Sequence, residues 1–252
     1  MPLPHLLLKR KFVEAKMNVS TDFLKSKYED LYPQSFEDKG EAVRVKSYEL
    51  LSRDEQKSAF KVINESYRAF LQDKIKGILK TTDPKMYWET VLLRPMAAAP
   101  TSPFGETRMY INSEEEFSRS FHGGMDLAGT QNAEVFSAAK GKIVFSGRLG
   151  IYGNAIIIDH GFGMSTLYGH LSTSLVSVGD MVEAAAKIGR TGMTGLAGGD
   201  HLHFEVRIYG EPVTPIEWWD SKWVRDHIYG KIEGVKKLLV ADAKTAWDGE
   251  VK

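Results

Sequence analysis

Cysteine is missing from all 252 residues. Disulfides and thiolate nucleophiles are therefore excluded, and any bound metal must be held by histidine and carboxylate, a donor set that suits a catalytic site better than a structural one. Cysteine-free chains are tolerated in every redox compartment, so this assigns no location. An excess of charge is missing too: 33 Lys and Arg balance 33 Asp and Glu, so no global field draws the chain to nucleic acid or an anionic membrane. No apolar run is long enough to span a bilayer. The opening Met1–Lys11 does not read as a secretory signal, because its three leucines after His5 are followed, not preceded, by basic residues. The glycine-rich run Gly189–Gly199 lacks a Gly-Lys-Ser/Thr ending and opens no helix, which excludes a phosphate-binding loop and leaves tight turns or a groove wall.

What is present falls into two textures. Lys11–Met17 reads as a short strand, and Ser20–Tyr32 as a helix that ends before Pro33. Ser52-Arg53-Asp54-Glu55 is a capping box, after which Phe60, Ile63, Tyr67, Phe70, Leu71, Ile75 and Ile78 recur at helical spacing. That predicts an amphipathic helix of about seven turns, whose apolar stripe docks on the same chain. Thr81-Thr82-Asp83-Pro84 breaks it. From Arg94 to Val213 the texture becomes short β-like runs punctuated by glycine: Lys142–Gly147, Asn154–Asp159 and Gly163–Tyr168, with further edges at Val178–Glu183 and Ala186–Arg190. Regular spacing of short strands predicts a compact antiparallel β domain. After Pro215, Ile216–Ile228 reads as a helix with Trp219 and Trp223 packed on one face, and the chain beyond Lys231 as loose, with a short helix around Val235–Val240.

The histidines carry the chemistry. In an extended strand, His201, His203 and Glu205 of Asp200-His-Leu-His-Phe-Glu-Val206 share one face, while Leu202, Phe204 and Val206 share the other. Alone, that His-x-His is equally a metal-binding edge and an exposed strand with two histidines. Upstream stand Phe121-His122-Gly-Gly-Met-Asp126 and Leu167-Tyr-Gly-His170-Leu171. The three motifs, in this order, resemble the lysostaphin-type or LytM-domain peptidoglycan metalloendopeptidases, whose pattern is His-x-x-x-Asp, Tyr-x-His-Leu and His-Leu-His-Phe-Glu. The likeness covers residues 95 to 216.

The resemblance implies an α+β chain: a mainly antiparallel β, LytM-like catalytic domain with a duplicated hybrid motif over 91–216, an N-terminal helical accessory region over 1–90 and a C-terminal helical tail over 217–252. It implies that His122, Asp126 and His203 bind Zn2+, and that His170 and His201 handle protons and stabilise the intermediate. His-Glu-x-x-His is absent, so the scheme with a helical glutamate base does not apply. Glu205 stands where it could orient a ligand imidazole or simply be solvated. Asp200 replaces the family's usual proline, and a carboxylate there could hold the imidazole of His201. His160 reads as a structural histidine, and His5 and His227 have no constellation around them. The implied activity is hydrolysis of peptide bonds in peptidoglycan stem peptides or cross-links, in the periplasm or otherwise outside the cytoplasm, with peptidoglycan peptides as the partner and no role for nucleic acid. The alternative is an inactive envelope module of the same type that binds peptidoglycan or activates wall amidases. An upstream segment covers the groove in several members, so residues 1–90 are expected to serve as scaffold or as lid.

Overall fold

The computed structural model describes residues 13–112 and 115–249, so His5 and the Met1–Lys11 segment lie outside the described residues. The chain opens with β1 (Glu14–Asn18) and α1 (Thr21–Glu37), which Ser20 caps by accepting the Phe23 N–H at 3.1 Å. The expected stop before Pro33 is wrong: α1 runs through it. Proline removes the bond to the Glu29 carbonyl at a cost of about 3 kcal/mol. Tyr28 and Tyr32 stack at 4.8 Å, Tyr32 and Phe36 meet edge-on at 5.1 Å, and Leu31 is fully buried, so packing on both sides of the proline offsets that cost.

The capping box forms as the sequence predicts, with the Ser52 N–H donating to Glu55 Oε2 at 2.8 Å and the Glu55 N–H to Ser52 Oγ at 3.3 Å. It starts α2 (Arg53–Lys61), which passes through a π-helical segment, Val62–Tyr67, into α3 (Arg68–Ile78). Phe60, Ile63, Tyr67, Leu71 and Ile75 are buried along one face.

Next come β2 (Ala99–Ser102), β3 (Thr107–Asn112), β4 (Glu115–Phe121), β5 (Met125–Ala128), β6 (Glu134–Phe136), β7 (Gly141–Arg148), β8 (Asn154–Gly161) and β9 (Met164–Leu171). They are followed by β10 (Thr173–Ser174), β11 (Met181–Val182), β12 (Lys187–Arg190), β13 (Leu202–Ile208) and β14 (Glu211–Val213). The main sheet is antiparallel throughout in the order β11-β7-β8-β9-β13-β5-β2, with β14 also on β13. Phe162 and Gly163, both with positive φ, turn β8 into β9. A small antiparallel sheet β10-β12-β6 and a mixed sheet β1-β3-β4, in which β1 runs parallel to β3, complete the β structure.

Side-chain alternation gives the main sheet two different faces. Ile156, Ile158, Tyr168, Leu202, Phe204 and Val206 point into one core, which Trp88, Leu92, Trp218 and Val224 close. Leu149, Ile157 and Leu167 belong to the other, and there Ile63, Tyr67, Leu71 and Ile75 of the helices cover them. The stripe predicted to dock on this chain therefore lies on the sheet face that carries His203 and Glu205.

The C-terminal region departs from expectation. Asp220 caps a new turn by accepting from the Lys222 and Trp223 N–H groups at 2.8 and 3.1 Å, which splits the expected single helix into α4 (Pro215–Trp218) and α5 (Ser221–Val224). A π-helical segment, Arg225–Tyr229, then leads into α6 (Gly230–Gly249), where a loose tail was expected. Four lysines, three alanines and two leucines favour a helix there and no proline interrupts it. Trp219 stacks on Phe204 at 5.8 Å and Trp223 packs on Trp218 at 5.6 Å, so both serve packing.

His160 lies in β8, away from the other imidazoles. It is fully buried, bonded through Nδ1 to the Lys140 carbonyl at 2.8 Å and through Nε2 to Thr166 Oγ1 at 2.7 Å. Burial pushes its pKa down to about 4. As pH falls below about 6.5 the unfolded chain takes up this proton and the native one does not, so stability is full above that value and lost at about 1.4 kcal/mol per unit until about 4. Urea unfolding at pH 7 and pH 5 should show His160→Gln losing about 2 kcal/mol less than wild type between the two. Equal losses would show that His160 does not titrate as its burial requires.

Candidate metal centre

Strand pairing brings the motifs together. β13 lies between β5 and β9, with His203 opposite Asp126 on one side and Gly169, the neighbour of His170, on the other. His122 opens the turn from β4 into β5, where Gly124 is required: a Cβ there would stand 2.5 Å from the Phe204 carbonyl and 2.9 Å from His203 Cε1. His201 sits just before β13, bridged to Gly192. All five residues singled out from the sequence are thus in one place.

Three donor atoms form a near-equilateral triangle. His122 Nε2 lies 3.0 Å from Asp126 Oδ1 and 3.0 Å from His203 Nδ1, and His203 Nδ1 lies 2.9 Å from Asp126 Oδ1. All three residues are buried, and among the described residues they are the group that could hold a metal ion. Donors about 2.0–2.1 Å from a tetrahedral ion stand about 3.3 Å apart, so the triangle needs only slight opening.

Hydrogen bonds at the opposite ring nitrogens aim the lone pairs. His122 Nδ1 donates to the Pro103 carbonyl at 2.8 Å, leaving Nε2 free for the triangle. His203 Nε2 donates to Glu205 Oε1 at 2.9 Å, leaving Nδ1 free. Glu205 is fully buried rather than solvated, also accepts the Tyr152 hydroxyl at 3.1 Å, and is paired with Arg207. Arg207 in turn donates to the Gly210 carbonyl and to Gln72 Oε1 of α3 at 2.7 and 2.8 Å. Burial alone would raise Glu205, but the guanidinium of Arg207 and the imidazole of His203 hold its pKa at about 2. Burial would likewise raise Asp126, and its contacts with His122 and His203 keep it well below the usual carboxylate range.

Arg108 of β3 was not singled out from sequence. Its Nη2 contacts Asp126 Oδ2 and donates to Ser102 Oγ at 2.8 Å, while its Nε reaches Glu106 Oε1 at 3.0 Å. With Oδ2 occupied, Asp126 presents Oδ1 alone to the triangle. No motif offset marks such a residue, because β3 approaches from a different sheet.

His170 and His201 stand beside the triangle, their rings 4.7 Å apart. His170 Nδ1 donates to the Thr194 carbonyl and His201 Nδ1 to the Gly199 carbonyl, both at 2.8 Å, so each ring is oriented with Nε2 as its remaining nitrogen. His201 Nε2 is 3.6 Å from Asp126 Oδ1. Burial, reinforced by His201 and His203, keeps His170 neutral by lowering its pKa well below the ordinary value. Its φ of +62° is a left-handed conformation that a non-glycine residue adopts at a cost of about 1 kcal/mol or more, consistent with a functional constraint. Asp200 does not hold His201 as its position suggested. It accepts the Asn132 N–H at 3.1 Å and the Thr191 hydroxyl at 2.6 Å, fastening two loops instead.

Residues 120–215 match the model of peptidase family M23. Lipoprotein NlpD of Yersinia enterocolitica is 39% identical over 94 residues, 37% of this chain and 96% of that protein. The chain belongs to peptidase family M23. It is also 46% identical over 95 residues to the DD-carboxypeptidase/endopeptidase Mpg of Neisseria meningitidis serogroup B, and 36% identical over 95 residues to the murein hydrolase activator EnvC of Escherichia coli. Each match covers 38% of this chain, but only 22% of Mpg and 23% of EnvC. M23 relatives thus include both hydrolases and activators of hydrolases. No helix among the described residues is long and apolar enough to cross a membrane.

Replacing Glu205 with Ala would free His203 Nε2 and leave Arg207 unpaired in the core. Competition with a chromogenic chelator should show a fall in metal affinity of about 10- to 100-fold. An unchanged affinity would mean that Glu205 does not orient the ligand.

Proposed function

We propose that this M23 member is a zinc-dependent endopeptidase acting on the peptides of peptidoglycan, in stem or cross-link. The observation that carries the reading is the convergence of His122 Nε2, Asp126 Oδ1 and His203 Nδ1 within 3.0 Å of one another, with two further imidazoles held beside them by their Nδ1 bonds. Those three atoms would hold the ion. Bound zinc would supply Lewis acidity, polarising the scissile carbonyl and acidifying the attacking water. One of the two imidazoles beside the triangle, His201 or His170, would take up through its Nε2 the single proton released by that water, and the imidazolium so formed would return it to the leaving amine. While charged, the same side chain stabilises the oxyanion. The Nδ1 bonds hold both rings in the required orientation throughout.

The groove offers room on either side. One cleft, of about 530 Å³, is lined by Ser102, Asp126 and His201 on the catalytic side and by Met17, Ser20 and Phe23 from the first elements of the chain. The accessory region is thus groove wall and scaffold in this reading. The wall substrate requires a location in the cell envelope, outside the cytoplasm. The likeness to a Neisseria protein named a DD-carboxypeptidase/endopeptidase supports a peptide bond as the one cut. The second reading, a module that activates other wall hydrolases, draws on the likeness to EnvC.

His122→Ala and Asp126→Ala are expected to lose both stoichiometric zinc and hydrolysis of purified sacculi. His201→Ala should keep its zinc and lose about 10²- to 10⁴-fold in turnover. Mass analysis of the released fragments identifies the bond. A wild-type chain that takes up no zinc and releases nothing would transfer the case to the activator reading, and a fully active His201→Ala would remove that residue from the mechanism.

A further inference from the structure

Arg68, the first residue of α3, takes no part in the chemistry above. It follows the π-helical segment, and single π turns inside helices are frequent at functional sites. Asn64, fully buried within that segment, is tied to β4 through Nδ2 to Ser118 Oγ at 2.9 Å. Its carbonyl and Oδ1 accept Nε and Nη2 of Arg68 at 2.9 and 2.8 Å. The guanidinium is therefore held in a fixed orientation by two neutral oxygens.

The other cations that line these clefts are matched by carboxylates, Arg108 by Glu106 and Asp126 and Lys76 by Glu211, and the buried Arg207 is matched by Glu205. Arg68 forms no ion pair with any described carboxylate; its partners are the two oxygens of Asn64. It lines the small cavity over the triangle together with His122, His170 and His203. It also lines a cleft of about 260 Å³ that continues past Tyr152, His203 and Gly123. Asp126 borders the larger cleft and His203 this one, so a peptide crossing the donors passes from one cleft to the other and meets Arg68 on the His203 side.

Resting on the peptidase reading, we infer that Arg68 is a substrate-positioning residue that receives a carboxylate of the peptide next to the scissile bond. A planar guanidinium already oriented by protein oxygens loses little freedom on taking a carboxylate, and a charge-assisted bond in a partly enclosed cleft is among the stronger ones. Two groups offer that chemistry: the free α-carboxylate at a peptide C-terminus and the side-chain carboxylate of a diamino diacid. In either case the accessory helix supplies part of the specificity.

The test uses the zinc-loaded full chain carrying His201→Ala, so that peptides stay intact, and measures equilibrium binding of a labelled stem-type peptide in three forms: the diacid, its α-amide and its side-chain amide. Arg68→Gln should weaken binding of the diacid by about 10- to 100-fold and that of one of the amides hardly at all. The amide that the unsubstituted Arg68 already binds weakly identifies the carboxylate. Equal weakening of all three, equal binding of all three with Arg68 in place, or no binding of any overturns the inference. If Arg68→Gln does not fold, Arg68→Lys carries the test: charge without the planar fork should reduce the acid-over-amide preference several-fold, and an unchanged preference overturns it. Sacculus digestion by the wild type is scored separately. A chain that cuts nothing yet shows the Arg68-dependent preference loses the enzymatic reading alone, whereas cutting without any acid preference loses only this inference.

Discussion

Everything at the centre depends on which nitrogen of each histidine keeps its lone pair. Four imidazoles crowd one end of β13, and their arrangement is useful only because an acceptor waits at the far side of every ring. Three of those acceptors are backbone carbonyls, whose positions the sheet and loops fix. The fourth is Glu205, a charged group in the interior that is tolerable because Arg207 and Tyr152 satisfy it. Turning one ring over would replace a lone pair in the triangle by an N–H and end its capacity to hold a cation.

That requirement reaches well beyond the β domain. Arg207, fully buried, passes its remaining bonds to Gly210 and to Gln72 of α3, so the helix closes the chain of contacts that begins at His203. From the other side, Lys27 of α1 donates to the Gly195 carbonyl at 2.7 Å, steadying the glycine-rich run whose Thr194 carbonyl orients His170. Gly195 itself must be glycine, since φ is +71° and a Cβ would lie 2.3 Å from the Gly153 nitrogen. Residues 13–80 thus act on the donors through covered apolar surface and through polar contacts made by Lys27 and Gln72.

The sequence disclosed what depends on local order. Period-two alternation placed His203 and Glu205 opposite Phe204, and the capping box marked the start of the long helix. What depends on distant segments stayed hidden. Arg108 reaches Asp126 from another sheet, Arg68 arrives on a helix more than fifty residues before His122, and neither sits at a telling offset. Asp200 misled because adjacency in sequence is not adjacency of side chains: the chain turns so that its carboxylate faces Thr191 while His201 bonds back to Gly199. Pro33 misled for a different reason, since local propensity yielded to the aromatic packing of Tyr28, Tyr32 and Phe36. The left-handed backbone of His170 has no sequence marker at all.

X-ray absorption at the zinc edge, on the wild-type chain loaded with one equivalent of zinc, tests the central claim most directly. The account predicts stoichiometric uptake with two imidazole nitrogens, one carboxylate oxygen from the protein, and a further light-atom ligand. No uptake, or a shell of three or more imidazoles that drew in His170 or His201, would contradict it.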